Sequence, residues 1–123
     1  MRKYTGLFAI VLFLIGSQAY AQKATERFIP IGESPGLSGK HTVIGTVDEV
    51  NKQTQTITVS DSSGSFTAKI TDETRIWLDR SHLKLTNKMG AFTDIQMGRL
   101  IEVKSVGEER EGIAEWIKVR MNQ

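Results

Sequence analysis

The sequence predicts an all-β domain: a small five-stranded OB-like barrel, partly open, with one short helical turn between its third and fourth strands. Three observations predict it. Residues 42–70 alternate apolar and polar side chains with period two over three successive runs, the pattern of strands with one face in a core and the other in water. Two more runs of the same kind, residues 100–106 and 113–119, follow after a longer connection. Three strands, a long connection and two strands is the order of a small five-stranded Greek-key barrel.

In the first run Val43, Gly45 and Val47 alternate with Ile44, Thr46 and Asp48. Ile57 and Val59 alternate with Thr56, Thr58 and Ser60 in the second, and Phe66, Ala68 and Ile70 with Ser65, Thr67 and Lys69 in the third. Residues 51–55 and 61–64 are polar connectors of hairpin length. Gly45, in mid-strand, is expected to mark a bend or bulge where the sheet coils. Arg75-Ile76-Trp77-Leu78 either extends the third strand or begins a short one, and residues 80–90 are polar and basic without a period. Residues 93–98 read as one helical turn, with Thr93 as N-cap, Gln96 three residues on and Gly98 ending it. The last two strands, LIEVKSV and IAEWIKV, flank an acidic hairpin turn. The side chains expected inward are Val43, Val47, Ile57, Val59, Phe66, Ile70, Ile101, Val103, Ile117 and Val119.

The expected organisation is a signal peptide (residues 1–21), an N-terminal arm (22–41) and the barrel domain (42–123). Met1-Arg2-Lys3 is a positive start, residues 7–15 are an apolar run, and Ala19-Tyr20-Ala21 is a small-x-small cleavage signal. Together they read as a secretory signal. The run is too short to span a bilayer, which takes about 20 residues, and the sequence has no cysteine for a lipid anchor. The expected location is periplasmic or secreted, with no membrane span after cleavage. Arg2 and Lys3 account for the whole net charge of +2; the remaining 14 basic residues balance 14 acidic ones. Net charge therefore gives no argument for nucleic acid or an anionic membrane.

The arm has an apolar patch, Phe28-Ile29-Pro30-Ile31, followed by GESPGLSGK, a turn-rich composition. It is expected to be a tether whose patch packs on the barrel, or else a recognition arm for a partner. Gly39-Lys40 matches the end of a phosphate-binding loop. Ser34 stands where that loop needs its first glycine, His41 where it needs a hydroxyl, and a strand follows instead of a helix.

Gly45-Thr46-Val47, Thr56-Ile57-Thr58-Val59, Ile95-Gln96-Met97-Gly98-Arg99 and Trp116-Ile117-Lys118-Val119 resemble an uncharacterised family of small exported bacterial OB-like domains. More distantly they resemble the periplasmic copper- and silver-binding chaperones of efflux systems. In those chaperones the resemblance implies a metal held by a His after the second strand and by a Trp and two Met around the third. Here Ser60, Asp61 and Ser62 follow the second strand, and Phe66, Ala68 and Ile70 fill the third. A metal site would have to be rearranged from His82, Met89 and Met97, with Trp77 nearby. Such soft ligands suit Cu(I) or Ag(I). Asp72, Glu73, Asp79 and His82 match no calcium loop.

No nucleophile motif occurs, and His41 and His82 have no neighbours arranged for acid–base work. The expected function is a non-enzymatic exported binding or accessory module of the cell envelope, without a cofactor. A periplasmic Cu(I)/Ag(I)-binding protein is the alternative. Oligonucleotide binding on such a barrel needs stacking aromatics, whereas Thr56, Thr58, Ser60, Thr67 and Lys69 line the outer face of strands two and three. Glu108, Glu109 and Glu111 in the last turn would repel phosphate. The expected partner is an envelope protein or a small anionic or glycan ligand. Its expected surface is Trp77, Arg75, His82 and Lys84, within a basic group that adds Arg80, Lys88 and Arg99. If Ile76 and Leu78 are core, alternation turns Trp77 outward, and an exposed Trp beside cations is an interface anchor. The competing expectation is that the arm, through Phe28 and Ile31, folds back over Trp77 or Trp116.

Overall fold

The computed structural model describes residues 25–107 and 112–122. The expected signal peptide and the glutamates of the last turn lie outside the described residues. Among the described residues there are seven strands: β1 (Val43–Asn51), β2 (Thr56–Asp61), β3 (Gly64–Lys69), β4 (Arg75–Asp79), β5 (Lys88–Met89), β6 (Leu100–Ser105) and β7 (Gly112–Arg120). β1, β2, β3, β7 and β6 close into a five-stranded barrel, and β4 and β5 continue the sheet outside it. The antiparallel ladders β1–β2, β2–β3, β1–β6 and β6–β7 carry most of the ring. Its seam is a short parallel pairing, Ala68 with Gly112 and Lys69 with Ile113. Parallel closure of the third on the last strand makes the barrel OB-like.

β7 serves two partners in turn along one edge. Its start pairs with β3, and from Trp116 to Arg120 it pairs in parallel with β4. The Arg75 segment is thus a separate strand lying along the same edge as β3. Thr74 fills the break between them: its hydroxyl donates to Ala114 O at 2.7 Å and accepts from Thr71 N.

The ten residues expected inward are all buried, and Val59, Ile101, Ile117 and Val119 are fully so. Ile76 and Leu78 from β4 and Ile95 from the long connection join the same core. Gly45 serves a close approach. A Cβ there would sit 2.1 Å from the Ser60 carbonyl oxygen, so only glycine lets β1 and β2 cross at this point. The register shift itself comes later, between Val47 and Glu49. The two hairpin connectors are stapled locally. Asn51 Oδ1 accepts from Gln53 N and Thr54 N, and Asp61 Oδ1 from Ser63 N.

Helix is confined to short 3-10 turns among the described residues, Ser81–Leu83 and Phe92–Asp94 lying between β4 and β6. The expected turn is displaced. It starts at Phe92, after Ala91, and Asp94 Oδ2 accepts the Ala91 N–H at 2.8 Å. The Thr93 cap is therefore corrected: a carboxylate reaching back satisfies the free N–H. Gly98, at φ +88°, donates its N–H to Val47 O, tying the connection to β1.

Candidate functional site

Two places in the fold combine chemistry with shape: the outer face of β6, β7 and β4, and the barrel mouth at the end of β1. The strands set the first. The outward rows are Glu102 and Lys104 on β6, Trp116, Lys118 and Arg120 on β7, and Arg75, Trp77 and Asp79 on β4. Alternation alone would leave all of these in water. Glu102, Lys118, Trp116, Trp77 and Asp79 are instead buried: the arm bonds to Glu102, Lys118 and Asp79, and the two tryptophans stand against each other.

The arm is built from successive turns. Glu33 N donates to Pro30 O around Gly32 (φ +85°), and Leu37 N to Ser34 O around Gly36. These turns aim hydrogen-bond donors at acidic groups on the sheet. Glu102 accepts from Gly32 N at 3.0 Å, Ser38 Oγ at 2.7 Å and Thr42 Oγ1 at 2.7 Å. Asp79 Oδ2 accepts from Ile31 N, and its Oδ1 from the N–H and hydroxyl of Ser81. Lys118 Nζ pairs with Glu26 at 3.1 Å and donates to Ser34 Oγ at 2.9 Å, while the Ser34 hydroxyl donates to Glu26 at 2.6 Å. Lys118 Nζ also stands 4.6 Å over the Trp116 ring, which tilts against Trp77 with centroids 5.9 Å apart. Of the arm's apolar patch only Ile31 is buried; Phe28 is 59% exposed. Polar bonds to buried charges therefore hold this tether more than the apolar contact expected of it.

The expected partner surface changes accordingly. Trp77 does turn away from the core, as alternation requires, but it is only 5% exposed. As an exposed interface anchor it is corrected: Trp116 stands against it, and Met89 and Lys118 flank it in register. Arg75 is exposed and stands in register with Trp116; His82 and Lys84 are exposed in and just after the Ser81–Leu83 turn. Ser34 and Lys118 lie within bonding distance, as in a serine–lysine pair. The serine hydroxyl donates its hydrogen bond to Glu26 instead, and both side chains are buried. Of the alternative metal ligands, Met89 pairs in register with Trp77, and His82 lies on the preceding turn. Met97 lies on the barrel mouth, whose lining contains neither.

Burial alone would raise the Asp79 carboxyl pKa. The Ser81 hydroxyl, the Ile31 and Ser81 N–H groups and the Arg120 charge outweigh it and hold the group below its ordinary 3.8. A carboxyl depressed on folding contributes stability that is present above its unfolded pKa and is lost as pH falls through the folded value. Stability is therefore expected to fall below about pH 4. In Asp79→Asn this limb should flatten, with a loss at neutral pH of about 1–3 kcal/mol from the weakened Ile31 and Ser81 bonds. Urea melts at several pH values check it; an unchanged acid limb would remove Asp79 from the arm's anchoring.

The second place is a cleft of about 330 Å³ where β1 ends and the Phe92–Asp94 turn crosses the barrel. Ile95, buried in the core, forms its floor, with Val50 and Phe92 partly buried beside it. Met97, 69% exposed, and Thr93, Gln96 and Lys52 stand at the rim. Sequence reasoning missed this site. The available signal was the apolar Val50 at the strand end together with Phe92, Ile95 and Met97 in one short connection.

No family model, curated protein or solved structure matches the chain. The resemblance to exported OB-like domains and copper chaperones gains no support there, and a small β-barrel is what stands.

Proposed function

We propose that the chain is a non-enzymatic binding or accessory module of the cell envelope, exported by residues 1–21 and working in the periplasm or outside the cell. The observation that carries this reading is the division of labour among its polar groups. Glu26, Asp79, Glu102 and Lys118, each 2% exposed or less, are committed to holding the arm on the barrel. A general acid or base has to reach the proton it moves, and these groups face the arm. The open concavity has apolar walls and Lys52 as its ionisable group, a composition suited to holding a ligand more than to transforming one. The charged start, apolar run and Ala19-Tyr20-Ala21 support export.

The test uses protein purified from the envelope fraction, whose intact mass reports whether the chain begins at Gln22. Saturation-transfer NMR against small molecules and glycans extracted from the envelope is expected to show transfer to at least one component, lost on unfolding. Consumption of a component would make the protein an enzyme. A silent mixture with stoichiometric, submicromolar Ag(I) binding would make it a metal-binding protein.

A further inference from the structure

We propose that the barrel mouth is a binding site for a small amphiphilic monocarboxylate, whose apolar body lies on Ile95, Val50 and Phe92 and whose carboxylate meets Lys52 at the rim. This rests on the reading of the chain as a binding module and names the site and the ligand class.

The floor of the cleft is the barrel core itself. Ile95 is 2% exposed and belongs to the core cluster, against which Val50 and Phe92 pack from the mouth. An apolar group seated here covers Ile95, Val50 and Phe92 and takes that face out of water, as at the mouths of other ligand-binding barrels. Met97 is more exposed than any other large hydrophobic side chain of the described residues. An unbranched thioether at the rim can fold over apolar bodies of different shapes. The volume, about 330 Å³, is at the small end of the roughly 300–1,000 Å³ usual for small-molecule sites. It suits one acyl chain or aryl ring.

Charge selects the head group. The lining contains Lys52 and no acid. Gln96, also in the lining, is bonded through Oε1 to Arg99 at 3.2 Å. The other Arg99 bond is to Arg120 O at 3.3 Å, and its Nε is buried without a partner. A guanidinium with an unused buried donor and two long bonds to neutral oxygens is under-satisfied, since buried polar atoms are ordinarily bonded. Asp94, on the same turn, directs Oδ2 to Ala91 N. Within the lining Lys52 therefore has no acid to offset it, with the Arg99 charge behind Gln96 adding to the positive potential, and a carboxylate beside Lys52 completes the site.

The test is a titration of the ¹⁵N-labelled mature chain with sodium octanoate, below its micellar range, and separately with 1-octanol. Octanoate should shift the amides of Val50, Lys52, Thr93, Gln96 and Met97 saturably. Octanol, lacking the charge, should bind about three- to fivefold more weakly, as loss of one exposed ion pair allows. Lys52→Glu should bring octanoate down to the octanol level. Thr93→Trp, a substitution at an exposed position that fills the mouth, should abolish both, with unchanged core amides showing that the barrel is intact. Equal affinity for the two probes would overturn the anionic class. Absent or unsaturable shifts, or shifts that survive Thr93→Trp, would overturn the site. Envelope components that still bind when octanoate does not would separate this failure from failure of the binding-module reading.

Discussion

Lys118→Met should destabilise the protein by about 3–5 kcal/mol, the cost of breaking a buried ion pair from one side. Glu26 would lose its cation and be left with the Ser34 hydroxyl, at a position 2% exposed. The cation over Trp116 would also be lost. The loss has a ceiling. When keeping Glu26 buried costs more than docking the arm yields, the arm lifts off and the carboxylate returns to water. Global stability as seen by urea would then fall only by the docking free energy, while the Ile31 and Gly32 amides, bonded to Asp79 and Glu102 in the docked arm, would exchange fast. Adding Glu26→Leu should recover most of the loss, because replacing a buried pair by apolar groups is often neutral or better. A single variant costing under about 1 kcal/mol with slow exchange at Ile31 would contradict the buried pair.

The barrel was legible because its information is local. Period-two alternation in residues 42–70, 100–106 and 113–119 states which side chains face inward, and the ten expected core residues are buried. The arm layer was less legible for a related reason. Alternation says that Glu102, Lys118 and Trp77 face away from the barrel, but it cannot say what lies beyond them. The partner is far along the chain: Glu26 and Lys118 are separated by 92 residues. One clue was present, since two tryptophans on supposedly wet positions of β4 and β7 are poor solvent residues. The turns of the arm, with Gly32 and Gly36 at positive φ, read as linker composition because the same residues serve a loose tether and a tightly folded strap. The cleft was missed because its walls come from a strand end and from a 3-10 turn placed two residues away from where propensity put it.

Trp77→Ala should cost about 3–5 kcal/mol, the range for emptying a buried tryptophan site. The indole is 5% exposed, stands against Trp116, and is flanked in register by Met89 on β5 and Lys118 on β7. Truncation would open a cavity beside Trp116 and leave that ring's face bare, adding the loss of an aromatic pair, about 0.5–1.5 kcal/mol within that range. Part of the cavity can close, since Met89 is 54% exposed and free to swing inward, which places the expected value toward the lower end. Acrylamide quenching distinguishes burial from exposure without relying on stability. In Trp116→Phe, which leaves Trp77 as the reporter among the two tryptophans of the chain, quenching should be weak in the folded state and rise on urea unfolding. Strong quenching at Trp77, together with a Trp77→Ala cost below about 0.5 kcal/mol as for an ordinary surface change, would mean that the indole is open to solvent and not packed on Trp116. Trp77, Arg75, His82 and Lys84 would then form an open aromatic and cationic surface.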